Sequence, residues 1–393
     1  MPQKAAMPRV MVSGRGAQRL KDGHVWVYRS DVISADGVAP GSLVQVADER
    51  GRFLGTAWYS NASQIAIRLL SREPVVDLDA LLRLRLQDAI AYRKLVVRDT
   101  DAYRLVFSEA DFLPGLIVDK YNDVLSLQVL TQAVDAEPVR AIVVSELNAL
   151  NPAAMVERVE PKIRQLEQLP PRASGLVQGE KSTTIFTMNG VKFQFDALEG
   201  QKTGAFLDQR ENYASAAQYA QGEALDMFCY QGGFALHLAE RCSSVTGVDS
   251  SRPALEVADR NAALNGREIE WIEANAFDLL HDYAAAGRQY DVIVLDPPAF
   301  AKTRKSLATA LRGYKELNLR ALKMLRSGGI LVSCSCSYHV GQSEFLEVIR
   351  AAGHDVHKNL RLLENRGQAK DHPSLLSIPE TAYLKCAIIN VSS

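Results

Sequence analysis

Two cysteines stand one residue apart near the end of an apolar run, in the stretch GGILVSCSCSYH. Cys334 and Cys336 can be interpreted as a metal clip, a redox pair, core packing or a nucleophile. Metal-binding cysteines are usually spaced further apart, as in C-x-x-C, and the nearby sequence offers one histidine, His339, so a metal is disfavoured. A disulfide between residues this close would be strained, which disfavours a redox pair. Core packing and nucleophilic catalysis remain.

Polar residues also follow four predicted strands, at the point where each strand ends. In chain order they are Asp226, Asp249, Asn275 and Asp296. One such residue is weak evidence, because turns and helix N-caps favour Asp and Asn anyway. Four in succession are harder to ascribe to caps. The first strand is followed by Gly232 and Gly233 rather than by G-x-G-x-x-G or G-x-x-x-x-G-K-[ST]. These groups suit a ligand with a ribose, an adenine and a positive charge, but without phosphates.

The elements that must position these residues alternate between strand and helix after about residue 195. Apolar runs such as DVIVL and GILVS predict strands, and the stretches between them have helical spacing. This alternation indicates a doubly wound, mainly parallel sheet. In such sheets the ligand crevice lies beyond the carboxyl ends of the strands. We therefore expect the four polar residues to meet at one edge.

Position along the last parallel strand separates the two cysteines. Side chains at i and i+2 share a face, so a regular strand would direct Cys334 and Cys336 to the same layer. Cys336 lies nearer the carboxyl end, where the crevice is expected, and Cys334 lies further back in the apolar run. The pattern favours Cys334 as core and Cys336 as the reactive thiol.

The first half of the chain has a different pattern. Residues 8 to about 73 contain short β segments separated by Gly-rich turns, which suggests a small barrel. The stretch from about 75 to 95 has apolar residues at helical spacing, and a hairpin-rich α+β segment follows. Residues 164–180, RQLEQLPPRASGLVQGE, predict a surface loop. A chain of 393 residues is long enough for two or three such domains.

Composition is that of a globular protein, with 47% hydrophobic and 23% charged residues. We expect no secretory signal or membrane span, and five scattered cysteines favour a reducing cytoplasm. The formal net charge is −1, so nucleic-acid binding would need local basic patches. One patch near the N-terminus includes Arg15 and Arg19, and another includes Lys302, Arg304, Lys305 and Arg312. Each patch taken alone can also be an ordinary solvated face.

The strand ends DMFCYQGGFA, GVDSS, DPPAF and SCS resemble those of class I S-adenosylmethionine-dependent methyltransferases. Together with GQKTGAFLDQRENY they resemble bacterial 23S ribosomal RNA cytosine-5 methyltransferases of the RlmI type. The stretch RLKDGHVWVYRSDV resembles that family's PUA domain, and YRLVFSEADFLPGLIVDKY its central domain. The resemblance implies an α/β chain with a PUA-like RNA-binding domain over 8–75, a small α+β domain over 76–195, and a Rossmann-like methyltransferase domain over 196–393.

The resemblance implies S-adenosylmethionine as cofactor and no metal. The residues it assigns to the cofactor are Phe206, Asp208, Gln209, Asp226, Phe228, Gly232, Asp249, Ser250, Asn275, Ala276 and Asp296. Two positions depart from the family pattern. Asn275 stands where Asp is common, and its amide oxygen can also accept from the adenine amine. Ala299 stands after DPP where some relatives have Lys or Thr, so that side chain is not essential.

The resemblance also implies a covalent mechanism. The family's nucleophilic cysteine lies between two serines, as Cys336 does, and it would attack carbon 6 of cytosine so that carbon 5 becomes reactive. Asp296 would orient the base, and the proton acceptor is not assigned. Phe300 either stacks on an extruded cytosine or packs in the core.

Implied partners are 23S ribosomal RNA or a large-subunit precursor, with a homodimer left open and no membrane. The residues predicted to contact RNA are Arg15, Arg19, Lys302, Arg304 and Lys305.

Two other functions stay open at this point. The first is methylation of a ring or exocyclic nitrogen of guanine or adenine, since DPP-type loops serve those enzymes too. Cys336 counts against it if that residue lies at the cofactor crevice. The second is a PUA-bearing RNA-binding or ribosome-assembly factor without turnover. Binding of S-adenosylmethionine would count against that one.

Overall fold

A computed structural model describes residues 7–198, 205–301 and 303–393 of the chain. Within these ranges no helix is both long and apolar enough to span a membrane. The described chain contains three large sheets and one separate hairpin, with helices packed on the sheets. The α/β fold class predicted from the sequence is confirmed, whereas the domain boundaries at 75 and 195 stay predictions.

The N-terminal β segments form a six-stranded sheet in the order β2-β6-β5-β4-β1-β3. Its elements are β1 (Arg9–Val12), α1 (Gly14–Lys21), β2 (Trp26–Tyr28), β3 (Val32–Ser34), β4 (Leu43–Ala47), β5 (Phe53–Tyr59) and β6 (Ile65–Ser71). Buried and less buried residues alternate along β1, which is the period expected of a strand with one face on a core. Ile378, from the C-terminal part of the chain, completes this core.

The central sheet has the order β11-β10-β9-β8-β7. Its region comprises α2 (Leu78–Val96), β7 (Ala102–Phe107), β8 (Leu116–Tyr121), β9 (Val124–Val129), α3 (Gln132–Asp135), α4 (Glu137–Asn148), β10 (Ala154–Glu157), α5 (Pro161–Leu166) and β11 (Gly175–Gly179). The long helix expected near 75–95 is present. The side chain of Asp77 caps it by accepting from the N–H of Ala80 at 3.0 Å. Leu82, Leu86 and Ala89 form its buried stripe.

The surface loop predicted over 164–180 is partly wrong. Pro161, a favoured first helical residue, begins α5, and Gly175–Gly179 pairs antiparallel with β10 as an edge strand. The chain then forms a hairpin of β12 (Thr183–Met188) and β13 (Val191–Asp196). Asn189 and Gly190 both have positive φ in its turn, as a two-residue Asn-Gly hairpin requires.

The C-terminal sheet has seven strands in the order β16-β15-β14-β17-β18-β20-β19. Its elements are α6 (Arg210–Gln218), β14 (Glu223–Met227), α7 (Gly233–Leu238), β15 (Ser244–Asp249), α8 (Arg252–Leu264), β16 (Glu270–Glu273), α9 (Ala276–Ala285), β17 (Tyr290–Leu295), α10 (Leu307–Met324), β18 (Leu325–Ser335), α11 (Gln342–Asp355), β19 (Asn359–Arg366) and β20 (Lys385–Ser392).

The first five strands of this sheet in chain order are parallel, as predicted, and β20 runs antiparallel between β18 and β19. The parallel strands bring their carboxyl ends to one edge. This edge carries the residues singled out from the sequence.

Candidate active site

A cavity of ≈ 1020 Å³ opens at the carboxyl ends of the parallel strands. It is lined by Cys336 and by nine of the predicted cofactor residues, namely Phe206, Asp208, Gln209, Phe228, Asp249, Ser250, Asn275, Ala276 and Asp296. Three of the four strand-end polar residues, Asp249, Asn275 and Asp296, therefore converge on one site. Residues 199–204, which begin the GQKTGAF motif, lie outside the described residues.

Two predicted cofactor residues, Asp226 and Gly232, are not among the residues that line the cavity. Asp226 is fully buried, and its Oδ2 accepts from the N–H of Ala235 at 2.8 Å, at the start of α7. Burial raises the pKa of Asp226 well above its ordinary value. At Gly232 φ is +86°, and a side-chain carbon there would come 2.9 Å from Trp271. In this structure both residues shape the turn after β14.

That turn is strained at two non-glycine residues. Phe228 and Tyr230 have φ values of 65° and 49°. A residue held in this region costs on the order of 1 kcal/mol, and such residues cluster at functional sites. The Tyr230 N–H donates to Asp249 Oδ2 at 2.9 Å, and the Ser251 N–H donates to Asp249 Oδ1 at 2.9 Å. The Asp249 carboxylate is thereby fixed at the cavity wall.

Asn275 caps a helix. Its Oδ1 accepts from the N–H groups of Phe277 at 2.9 Å and Asp278 at 3.3 Å, at the start of α9. Asn275 therefore acts as a helix cap. The presence of polar residues at four successive strand ends had been interpreted as evidence against that role. The amide oxygen that was expected to accept from adenine is already engaged by two backbone donors, so that contact stays a prediction.

Gln209 joins two segments of the site. Its Nε2 donates to Asp296 Oδ2 at 3.0 Å, and its Oε1 accepts from Asn212 Nδ2 at 2.7 Å. Nearby, the Tyr383 hydroxyl donates to Asp208 Oδ2 at 2.6 Å. Gln209 is buried, and its position orients the Asp296 carboxylate in the cavity.

The two cysteines have different environments. Cys334 is fully buried in β18 and lies directly opposite Cys386 of β20. Burial raises the pKa of the Cys334 thiol well above its ordinary value, so this thiol stays protonated. Cys336 follows the last residue of β18, is half-buried and lines the same cavity as Asp296.

The serines that flank Cys336 point away from the cavity toward α10. Ser335 Oγ donates to the Tyr314 hydroxyl at 2.9 Å, and that hydroxyl lies 2.9 Å from Ser337 Oγ. Ser337 Oγ also accepts from the N–H of Ala301 at 3.1 Å. The loop after β17 and the end of β18 are thus tied together behind the nucleophile candidate.

The sequence reasoning did not single out Tyr314 or Lys385. Lys385 donates through Nζ to the backbone oxygens of Ser337 at 2.7 Å and Tyr383 at 2.8 Å. A lysine at the edge of the apolar run CAIINV was the available signal for it. Tyr314 gave a weaker signal, because a tyrosine on a helix face reads as ordinary core.

Phe300 is in contact with other rings. Its ring centroid lies 4.8 Å from that of Tyr314 and 5.9 Å from that of Phe277. It also lines the cavity. Both sequence interpretations, core packing and base stacking, therefore have a structural counterpart.

The predicted RNA-contacting residues lie on two surfaces. Arg304 and Lys305 are exposed in a single turn before α10, and Lys302 lies outside the described residues. Arg15 is exposed on α1, with its Nε 2.7 Å from Asp31 Oδ1, and the Arg19 guanidinium lies 4.6 Å from the centre of the Tyr28 ring. Their roles stay predictions. The described residues contain no cluster of metal-ligating side chains.

Two family models match the chain. One describes a PUA-like domain and matches residues 10–72, and the other describes an S-adenosylmethionine-dependent methyltransferase and matches residues 112–377. Among solved structures, that of SMU.776, a methyltransferase complexed with SAH, covers 98% of this chain and 100% of its own, with a TM-score of 0.84 at 21% identity. At that identity the likeness concerns the fold.

Curated relatives match over almost the whole chain. The ribosomal RNA large subunit methyltransferase I of Photobacterium profundum is 37% identical over 389 residues, which is 95% of this chain and 97% of the relative. The protein of the same name from Escherichia coli O139:H28 is 35% identical over 388 residues, 96% of this chain and 97% of the relative. The chain therefore belongs to the ribosomal RNA large subunit methyltransferase I family, and it is an S-adenosylmethionine-dependent methyltransferase with an N-terminal PUA-like domain.

Proposed function

We propose that this protein methylates carbon 5 of a cytosine in large-subunit (23S) ribosomal RNA through a covalent adduct with Cys336. The observation that carries the proposal is the position of Cys336, half-buried in the cavity that Asp249 and Asp296 also line. Methylation of a guanine nitrogen needs no thiol at this place. Carbon 5 of cytosine does need one, because it is too weak a nucleophile until carbon 6 has been attacked.

The cavity lining fits S-adenosylmethionine. The carboxylates of Asp208, Asp249 and Asp296 face a cavity that also has the aromatic rings of Phe228 and Phe277. Carboxylates suit ribose hydroxyls and a positive charge, and aromatic rings suit a flat base. When bound, the cofactor supplies a methyl group activated on a sulfonium.

The proposed reaction uses three changes at the cytosine ring. The Cys336 thiolate forms a bond to carbon 6, and the electron pair moves to carbon 5, assisted by hydrogen bonding at the ring nitrogen. Carbon 5 then takes the methyl group as the carbon–sulfur bond to that methyl breaks. A base finally removes the proton from carbon 5, and the bond between carbon 6 and Cys336 breaks. Asp296, held by Gln209, is the group we assign to orient the base.

The proposed substrate rests on the family to which the chain belongs and on which bases can reach the cavity. The relatives are named for the RNA of the large ribosomal subunit. A paired base is inaccessible to a cavity of this kind, so an unpaired or extruded cytosine is expected. Arg304 and Lys305 would hold flanking phosphates, and Arg15 and Arg19 would contact RNA from α1 of the N-terminal region. A cytoplasmic location stays a prediction, and the oligomeric state stays open.

The test is the identity of the methylated nucleoside. Incubating the protein with labelled S-adenosylmethionine and 23S ribosomal RNA, then digesting to nucleosides, should place the label in 5-methylcytidine. Label in a modified guanosine or adenosine would overturn the proposal. Cofactor binding without any labelled nucleoside, on naked RNA and on large-subunit precursors alike, would indicate an assembly factor without turnover.

A further inference from the structure

Lys385 contacts the backbone of Ser337, the residue that follows the candidate nucleophile Cys336. It begins β20 and pairs with Ser335 of β18. Its Nζ donates to the backbone oxygen of Ser337 at 2.7 Å and to that of Tyr383 at 2.8 Å. Because Cys336 is bonded directly to Ser337, the ammonium group is held beside the short segment that carries the thiol.

Burying a lysine at this position costs free energy. Lys385 is only 6% exposed, and it lies beside the apolar run of β20. Burial lowers the pKa of Lys385 to about 8, while Cys336 acts in the opposite direction. Two backbone oxygens satisfy two of its three N–H donors, which offsets part of the desolvation. A hydrocarbon side chain would fit the strand without this cost.

Two carboxylates line the cavity together with Cys336, and two buried tyrosines lie on neighbouring elements. Asp296 comes from the loop after β17, and Asp208 comes from the segment before α6. Tyr314 of α10 and Tyr383 of the segment before β20 are neutral, because burial raises the pKa of each. Carboxylates disfavour a second negative charge nearby, so a thiolate in this cavity needs a compensating cation.

We propose that Lys385 is a positioning residue whose ammonium group favours the thiolate form of Cys336 and fixes the Ser337 carbonyl that anchors the thiol's segment. The thiol proton leaves to solvent, and Lys385 keeps its own proton at pH values below its pKa. This role rests on the proposed function in taking Cys336 as the nucleophile. The effect of Lys385 on the Cys336 thiol is a property of the free enzyme.

The test is the pH profile of Cys336 alkylation by iodoacetamide, measured by mass spectrometry of its peptide. Cys229, Cys334 and Cys386 are buried, so Cys242→Ser leaves Cys336 as the accessible thiol among the chain's five cysteines. In that background, Lys385→Met should move the midpoint of the profile upward by about 1 unit or more, because a nearby cation is lost. Lys385→Arg, which keeps the charge, should restore it toward the starting value.

Lys120 provides a matched control. Its Nζ also donates to two backbone oxygens, those of Asp101 and Asn122, and burial also lowers its pKa, but it lies in the central sheet. Lys120→Met should leave the midpoint unchanged. If Lys385→Met does not fold, Lys385→Gln carries the same test, since it keeps a polar N–H donor without the charge.

Two outcomes would overturn the proposal. One is an unchanged midpoint in the Lys385→Met or Lys385→Gln variant, even where the rate falls at every pH, since loss of structure alone gives that pattern. The other is an equal shift in Lys120→Met. Neither measurement uses RNA or cofactor. A failure of cytosine methylation would therefore be seen separately, in the nucleoside assay.

Discussion

Cys334 and Cys336 differ at the residue scale because the chain leaves the sheet between them. Cys334 is inside β18 and lies opposite Cys386 in a core that the C-terminal sheet shares with the hairpin of β12 and β13. Cys336 comes after the strand has ended at Ser335 and reaches the cavity. Thiol chemistry requires a thiolate, and a fully buried thiol does not ionise readily. The reactive role is therefore assigned to the second cysteine.

Replacing each cysteine separately should give opposite results. Cys336→Ala should abolish formation of 5-methylcytidine while leaving the affinity for S-adenosylmethionine within about twofold, because the thiol is needed for attack on carbon 6. Cys334→Ala should retain activity and lower the free energy of unfolding by about 1 kcal/mol through lost packing. The measurements are nucleoside analysis, calorimetry and urea unfolding. Normal turnover by Cys336→Ala would remove it as the nucleophile.

At the scale of elements, α10 and β18 are joined by polar contacts through their shared core. Tyr314 of α10 reaches Ser335 and Ser337, and Ser337 in turn accepts from the Ala301 N–H. Tyr314 is buried, so its hydroxyl has little access to water. These contacts hold the loop that carries Asp296 and the segment that carries Cys336 in one arrangement, which reaction at a single base requires.

Tyr314→Phe tests this coupling. It removes one hydroxyl and leaves two buried serines with fewer partners, so we expect a loss of about 1–2 kcal/mol in the free energy of unfolding. The methylation rate should fall about 10- to 100-fold, because the two segments lose their common support, while cofactor affinity stays unchanged. Tyr290→Phe is the matched control, because Tyr290 begins β17 and Asp296 follows the other end of that strand. This variant should keep the methylation rate unchanged. An equal fall in both variants would argue against the coupling.

At the scale of the whole molecule, the segment between β19 and β20 contacts all three sheet regions. Ile378 is buried in the N-terminal core, and Asp371 accepts from Arg104 N of β7 at 2.8 Å and from Arg210 Nη2 of α6 at 2.7 Å. The same segment continues through Tyr383 to Lys385 at the cavity. The N-terminal and central regions are therefore held in a fixed relation to the site by one stretch of chain.

Asp371 gives this arrangement a pH dependence. Burial by itself would raise the pKa of Asp371, but the charges of His372 and Arg210 and the Arg104 N–H hold it well below its usual range. A carboxyl with a depressed folded-state pKa stabilises the protein above its unfolded pKa of about 3.9, and that stability is lost as pH falls below it. Unfolding by urea should become easier as pH falls below about 4.

Asp371→Asn should remove this stabilisation at neutral pH. It removes the nearer and fully buried counter-charge of Arg210 and leaves only Glu211, at 3.7 Å, so the expected loss in the free energy of unfolding is about 3 kcal/mol. Asp355→Asn, which breaks an exposed pair with Lys315, should have no measurable effect and serves as the control. Equal stability of the two variants at pH 7, measured by urea unfolding, would contradict the role given to Asp371.

Patterns that repeat along the chain could be predicted from the sequence. The parallel strands, the long helix α2 and the convergence of Asp249, Asp296 and Cys336 follow from periods of 2.0 and 3.6 residues and from where strands end. β19 was not predicted, because none of its residues is fully buried and the alternation of polar and apolar residues in NLRLLENR ends after its fourth residue. The edge strand β11 was missed for a similar reason, since Pro and Gly punctuate its surroundings.

By itself the sequence determined which thiol lies at the crevice end of its strand and which acids follow the strands, because these are local facts. The tertiary structure decided what each side chain meets. It paired Asp226 with the N–H of Ala235 at the start of α7, Asn275 with the first N–H groups of α9, and Lys385 with a carbonyl 48 residues earlier in the chain. Such pairings depend on how helices and strands pack, and that packing is set by the whole core rather than by any short stretch.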